Sequence, residues 1–333
     1  MRSAVILGSA TLLAFGIAGC QQQSQSNGGG GSTAAASDLK IVEQIPIDAN
    51  GAEVKPPAGS TPADPAGDGK ATCPPVSLAM AGALTGADAA LGVNIKNGVQ
   101  MAVDAHNAAN AGCQVQLKTF DTEGDPQKAT QVAPQIVDDA FTIGLIGPAF
   151  SGETKATGQI FDQAGLAATT ASATNVTLSE QGWKTFFRGL SNDGVQGQSV
   201  ANYLKNNLGY KKVCVVDDST DYGLGLAKVV RDTLAGVADA SCNISVKKGD
   251  KDFSAAVNQV KGVSPDAVFY SGYYAEAAPF VQQLRDGGFT GTFASADGTK
   301  DPEFVKQAGE ASKDAILSCP CSPATGDFAK NYK

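Results

Sequence analysis

Between Val76 and Ser318 the apolar residues switch repeatedly from every second position to every third or fourth, and each switch marks a new element. Val76-Ser77-Leu78-Ala79-Met80 alternates and then meets Gly82, which predicts a strand running into a Gly-rich loop. Ile95, Val99, Ala102 and Val103 then recur at helical spacing, and Val115 to Phe120 predicts the next strand. Asp125-Pro126 is an N-cap followed by proline at the first helical position, and Val132, Ile136 and Val137 continue that helix. Pro134 is expected to kink it. Thr142 to Ile146 reads as a buried strand, Ser151 to Ala164 as a helix and Leu166 to Thr170 as a strand.

A second series follows. Helices are predicted over Val195 to Leu208, Gly225 to Leu234, the stretch capped by Asp252, Ala275 to Gly287, and a short one after the cap-plus-proline pair Asp301-Pro302. Between them lie strands at Lys212 to Asp217, Cys242 to Lys247, Ala267 to Ser271, Phe293 to Ser295 and Ala315 to Ser318. Alternation of this kind argues for parallel sheets covered by helices. The fold class is therefore α/β, with two doubly wound parallel-sheet lobes joined by a hinge. In open sheets of this kind ligands bind outside the carboxyl ends of the strands, so two facing lobes would surround one cleft.

The residues before Val76 read differently. Arg2 precedes an apolar stretch from Ala4 to Ala18, too short for a comfortable membrane span and suited to a signal-peptide core. It ends in Ile17-Ala18-Gly19-Cys20, which resembles the lipobox of bacterial lipoproteins. That resemblance implies a lipidated Cys20 as mature N-terminus, exported and anchored to the bacterial membrane on its periplasmic or outer side. Gln21 to about Lys70 is a low-complexity Gln/Ser, Gly and Pro/Ala stretch, expected to be a disordered tether. Ile41, Val42, Ile45 and Ile47 are its apolar cluster, with a transient strand expected there. The organisation expected is a signal peptide at 1–19, lipidated Cys20 and tether to 71, a first lobe at 72–190, a second at 191–319, and the start of a return crossover at 320–333.

Composition narrows the chemistry. The net charge of -8 and the lack of a basic run remove the electrostatic basis for nucleic-acid binding. One histidine, His106, leaves a His-based metal site or catalytic triad without its groups, and His106 is expected at the surface of the first helix. Setting Cys20 aside, six cysteines remain in an exported chain, an even number that suggests disulfides. Six allow fifteen pairings, and sequence alone leaves them open. Strand order favours Cys73 with Cys113 and Cys214 with Cys242, which leaves Cys319 with Cys321 around Pro320. The spacing fits no common zinc pattern. Enzyme motifs also fail. Gly223-Leu224-Gly225 lacks the third glycine of a dinucleotide fingerprint, and the Ser-x-x-Lys of Ser245 to Lys248 sits within a predicted strand. No cofactor and no enzyme activity are expected.

Four stretches, in order, carry a family resemblance: Leu145-Ile146-Gly147-Pro148 to Ser151, Thr170 to Thr174, Asp217 to Gly223, and Phe269-Tyr270-Ser271-Gly272-Tyr273. With the opening Gly82-Ala83-Leu84-Thr85-Gly86, the chain from about Val76 to Ser318 resembles the type I periplasmic binding proteins of branched-chain amino acid ABC importers, the leucine/isoleucine/valine-binding family. The resemblance implies a monomer that captures a small apolar amino acid and delivers it to permease and ATPase subunits. It implies that Ser151, Ser172 and Thr174 hold the carboxylate, that Tyr222 and Tyr273 close over the ligand, and that Asp297 pairs with the ammonium. Leu91 and Phe150 belong to the same shell. Hinge crossings are expected near 190–193 and 319–323.

Each of these residues has a plainer explanation. Ser151 could only cap its helix, Ser172 and Thr174 could only bond local backbone, Asp297 could serve a turn before Gly298, and the tyrosines could pack between the lobes. There are also departures from the family. Asp297 stands for a longer glutamate, Leu91 stands where an aromatic is usual, and Glu153 adds a carboxylate near Ser151 that would favour a polar ligand. These keep an amide, urea or aromatic-acid binder, or a sensor ectodomain, as alternatives. By the same resemblance the fold continues past the point matching Cys321, so a truncated chain, with its C-terminal part missing and apolar surface exposed on its first lobe, is expected.

Overall fold

The computed structural model describes residues 39–55 and 63–322 together with Lys330 and Tyr332. The signal peptide, Cys20, the glycine run and most of the segment after Ser322 lie outside the described residues. No helix among the described residues is long and apolar enough to cross a membrane.

The first lobe runs β1 (Val76–Gly82), α1 (Ala89–Ala109), β2 (Val115–Asp121), α2 (Pro126–Val137), β3 (Thr142–Ile146), α3 (Ser151–Gln163), β4 (Ala168–Thr170) and β5 (Phe186–Arg188). Its five strands are all parallel, in the order β2-β1-β3-β4-β5. The local signals act as expected. Asp125 accepts from Gln127 N at 2.7 Å and Lys128 N at 3.0 Å, which fixes the start of α2. That helix runs on through Pro134 to Val137. β5 carries no sequence signal. Three residues are too few to display alternation, and the strand is held by pairing with β4.

The second lobe runs α4 (Asp193–Asn202), extended by a π-helical turn to Asn207, then β6 (Val213–Asp217), α5 (Asp221–Leu234), β7 (Ala238–Ser245) and α6 (Ser254–Val263). It continues with β8 (Ala267–Ser271), α7 (Tyr274–Asp286), β9 (Thr292–Ser295), α8 (Pro302–Ala308) and β10 (Ile316–Leu317). The strands are again parallel, in the order β10-β9-β8-β6-β7. β6 and β8 are buried at every position, as central strands covered on both faces must be. Beneath them Phe253, Tyr270, Phe280, Phe293 and Phe304 form one aromatic core with ring separations of 5.3 to 6.3 Å. The first-lobe core is built of smaller residues, with Ala79, Ala81, Ala133 and Ala168 packed around Leu145, Ile136 and Phe161.

Three disulfides join Cys73 to Cys113, Cys214 to Cys242, and Cys319 to Cys321. The first ties together the entries to β1 and β2, which are paired neighbours. In the second, β6 and β7 shift register between Val213 and Val215, and this places Cys242, inside β7, against Cys214.

Part of the expected tether departs from the expectation. Asp48 Oδ1 accepts from Asn50 N at 2.8 Å and Ala52 N at 2.9 Å, closing a turn that leads to an antiparallel bridge between Ile47 and Glu53. Gly51, at φ +79°, lies so close to the end of α4 that a Cβ there would come within 2.2 Å of Tyr203 N. Asn202 Nδ2 donates to Ala49 O at 2.8 Å. A few side-chain-to-backbone bonds are enough to order a stretch whose composition reads as disordered. The apolar cluster contributes little, since Val42 and Ile45 are exposed.

Replacing Cys214 and Cys242 together by alanine opens a loop with a sequence separation of 28. The expected cost is roughly 3 kcal/mol, read as a lower urea midpoint with the cooperative transition retained.

Candidate functional site

The carboxyl ends of both sheets meet across one cleft. From the first lobe, the chain after β3 delivers Phe150 and Ser151 to the start of α3, and the chain after β4 delivers Ala171 and Ser172. From the second, the turn after β6 delivers Tyr222, the turn after β8 delivers Tyr273, and the turn after β9 delivers Asp297. Together they enclose a cavity of ≈ 220 Å³. This lies below the roughly 300–1,000 Å³ of sites for drug-sized ligands and suits a small molecule. A wider depression of ≈ 690 Å³ on the second lobe, lined by α7, Glu310 and Ala311, is an open surface groove with mixed polar and apolar walls.

Seven of the eight anticipated residues line the cleft: Leu91, Phe150, Ser151, Ser172, Tyr222, Tyr273 and Asp297. Thr174 does not. It is fully buried behind the wall, its hydroxyl beside the Asp193 carboxylate at a geometry short of an ordinary hydrogen bond. The reason is its place in the fold: Asp193 N donates to Thr174 O at 2.9 Å, so the base of α4 covers that side of the loop. Glu153 also differs from its reading. It is fully buried, and its Oε2 accepts from Phe150 N at 2.9 Å, so it closes the start of α3 and does not line the cavity.

Several lining residues were not anticipated as part of the ligand shell. Asn94 and Ile95 on α1, Leu190, Lys300 and the ring of Cys319, Pro320 and Cys321 all reach the wall. Helical periodicity on α1 marks its buried face without saying that the covering surface is another lobe. β5, also unforeseen, positions the Ser172 loop: Arg188 donates from Nε to Ala173 O at 2.8 Å and from Nη2 to Asn175 O at 2.7 Å.

The polar groups sit at opposite sides. On the first lobe Ser151 Oγ accepts from Asn175 N at 3.2 Å and keeps its own proton to donate. The first-turn amides of α3, which no helix carbonyl satisfies, begin at the same residue. On the second lobe Asp297 Oδ1 accepts from Gln196 Nε2 at 2.7 Å and from Tyr222 OH at 2.9 Å. Burial pushes the Asp297 carboxyl up, while the Gln196 and Tyr222 bonds pull it back. Behind it, Asp193 is pushed well up by burial and by the Asp297 carboxylate, against the pull of Thr174 and Arg188. Among the described residues no group of His, Cys, Asp and Glu is arranged to hold a metal ion.

Apolar surface lies between the polar ends. The Tyr273 ring lies 4.6 Å from Phe150 and 5.2 Å from Tyr222, so it bridges the lobes. Further contacts cross the seam: Asn175 Nδ2 to Asp221 O at 2.5 Å, Lys155 to Asp221 at 2.5 Å, and Ala90 N to Tyr274 OH at 3.3 Å. The lobes are closed on one another.

The model of a family described as periplasmic binding protein matches residues 75–333. An amino acid binding protein of Pseudomonas aeruginosa is 34% identical over 238 residues, which cover 70% of this chain and 63% of that protein. The chain thus spans a little under two thirds of the length of that curated relative. A leucine binding protein, LivK, of Thermotoga maritima superposes with a TM-score of 0.71 at 28% identity, covering 77% of this chain and 74% of the other. The branched-chain amino acid transporter substrate binding protein LivJ of Streptococcus pneumoniae, solved in complex with isoleucine, gives 0.69 at 31% identity, covering 78% and 75%. The two parallel-sheet lobes are the type I periplasmic binding protein fold.

Two carboxyls beside the cleft set an expected pH dependence. Burial pushes Glu153 up to about 7, against the pull of Thr122, the Phe150 amide and Lys248, with Asp125 adding to the rise. Burial likewise pushes Asp218 up to about 7, with Glu276 adding to the rise and Thr220 and Lys248 opposing it. Each holds its proton in the folded state after the unfolded chain has released it. Their contribution to stability is therefore full below about pH 4 and is lost as pH rises through about 7. Urea unfolding is expected to show each contributing on the order of 2–3 kcal/mol more at about pH 5 than at about pH 8, and Glu153→Gln to remove its share of that slope.

Proposed function

The chain belongs to the periplasmic binding protein family, and from that premise we propose that it is the substrate-binding component of an ABC importer that captures a branched-chain or similar small apolar amino acid. The observation that carries this reading is the polarity of the cleft. Serine hydroxyls and the start of α3 stand on one lobe, a carboxylate stands on the other, and aliphatic and aromatic side chains lie between them. A zwitterion loses water at both charges when the lobes close, so each charge needs a partner of its own. Ser151, Ser172 and the first-turn amides of α3 take the carboxylate. The two side chains that donate to Asp297 both meet Oδ1, and Oδ2 is the oxygen offered to the ammonium. Leu91, Phe150, Tyr222 and Tyr273 enclose the side chain.

The ligand binds the open form through the first lobe and gains the second-lobe contacts only on closure. Its differential affinity for the closed state drives the hinge. The closed pair of lobes is the form that a membrane permease, powered by its ATPase, receives. The chain works as an exported monomer held to the membrane through a lipid on Cys20. Supporting this assignment, the LivJ relative was solved with isoleucine bound.

Thermal unfolding in the presence of leucine, isoleucine and valine tests the proposal. Ligand at a hundredfold over its Kd adds about 2.7 kcal/mol to stability, a readable rise in midpoint. Asp297→Ala is expected to abolish the rise, because it removes the ammonium partner and leaves Gln196 and Tyr222 without their acceptor. A cooperative transition that none of the three amino acids moves would overturn the assignment.

A further inference from the structure

Lys248 follows β7 on the second lobe, yet most of what its ammonium touches belongs to the first. Nζ lies 2.8 Å from Asp88 Oδ2, a carboxylate just before α1 with 1% of its side chain exposed. It donates to Gly124 O at 3.3 Å. It also stands over the faces of Phe150 at 5.3 Å and Tyr273 at 4.7 Å, and a cation within about 6 Å of a ring centroid is drawn to the negative face. These are the two rings that meet across the seam at 4.6 Å, one from each lobe. Both line the cleft, whereas Lys248 does not.

The surroundings are shaped to this contact. Gly124 sits at φ +71°, and a Cβ there would come within 2.6 Å of the Phe150 ring and 3.1 Å of Lys248 Nζ, so glycine alone leaves the passage open. Glu153 on α3 of the first lobe, and Asp218 and Glu276 of the second, interact electrostatically with the ammonium. With Asp88 these make four carboxylates, two on each lobe, each with a buried oxygen lacking a hydrogen-bond partner. Burial favours the protonated form of Glu153, Asp218 and Glu276, and the Lys248 ammonium is the cation that Asp88 meets among them. The other ion pair across the seam, Lys155 with Asp221, is 53% and 36% exposed and contributes little by comparison.

We propose that Lys248 is a positioning residue for ligand capture: it latches the second lobe to Asp88 and clamps Phe150 against Tyr273, stabilising the closed cleft by a contact the ligand never makes. This rests on the hinge-closing reading above, but its first readout needs no ligand.

The test uses the full chain with one distance probe on each lobe, away from the seam, first without ligand and then titrated with leucine. The variants are Lys248→Met, Lys248→Arg, Asp88→Asn and the Lys248→Met/Asp88→Asn double. Lys248→Met is expected to shift the unliganded distances toward the open form and to weaken leucine about tenfold or more, whereas Lys248→Arg, which keeps the charge and the ring contact, stays within about threefold of the parent. Asp88→Asn is expected to act in the same direction, with the double variant no worse than the stronger single one, as partners in one contact require. An unliganded distance distribution that Lys248→Met or Asp88→Asn leaves unchanged, or fully additive effects, would sink the latch. Should Lys248→Met fail to fold, Asp88→Asn decides in the same way. A parent chain that ignores leucine refutes the amino-acid assignment, while the latch is still judged on the unliganded distances.

Discussion

In each lobe the five strands run in one direction, and a parallel strand can be followed by another only after a crossover that returns the chain to the starting edge. Every carboxyl end therefore emerges at the same edge, with a turn and a helix start behind it. This constraint puts Phe150 and Ser151, then Ser172, then Tyr222, Tyr273 and Asp297 on the rim of one cleft, although they are spread over more than a third of the chain. The α3 helix supplies first-turn amides where β3 ends.

Closing two such edges together collects charge. Asp88, Glu153, Asp193, Asp218 and Glu276 are at most 1% exposed, and all lie in or beside the seam. A carboxylate so placed either keeps a proton or takes a cation as partner, and both solutions are present. Glu153 and Asp218 are pushed up into the neutral range by burial, whereas Asp88 meets Lys248. An acidic seam of this kind makes closure conditional on the right cations arriving. Lys248 supplies one, and in the proposed mechanism the ammonium of the ligand supplies the other, at Asp297.

The proposed hinge lies beside the same chemistry. Gln196, one turn into α4, donates to Asp297 and lies 3.4 Å from Ser318 Oγ, next to the Cys319–Cys321 ring that lines the cleft. Gln196, which follows the proposed first crossing near Asp193, thus links Asp297 to Ser318, beside the proposed second crossing near Cys319. The turn at residues 48–53 adds a brace on the outside, bonding to the end of α4 through Asn202 and Asn206. In the proposed mechanism ligand contact and hinge lie close together, as closure driven by a ligand requires.

Much of this was legible in the residues. Strand and helix periods, the Asp125-Pro126 and Asp301-Pro302 starts, the two-lobe organisation and seven of the residues that line the cleft follow from local spacing and from a resemblance carried by short motifs, because those signals act over a turn or a strand. What the sequence leaves open depends on distant partners. β5 exists because β4 offers an edge, Thr174 is covered because Asp193 bonds to its carbonyl, and the turn near Gly51 is ordered by the end of α4. Glu153, a carboxylate beside a serine in the chain, reads as a ligand group until burial and the Phe150 amide show it to be a helix cap. Lys248 and Asp88 carry no pattern that joins them across 160 positions. The sequence by itself determined the elements and the chemistry available at their ends; the packing of one lobe on the other decided which of those charges meet, because burial and proximity, not residue identity, set what a charge is worth.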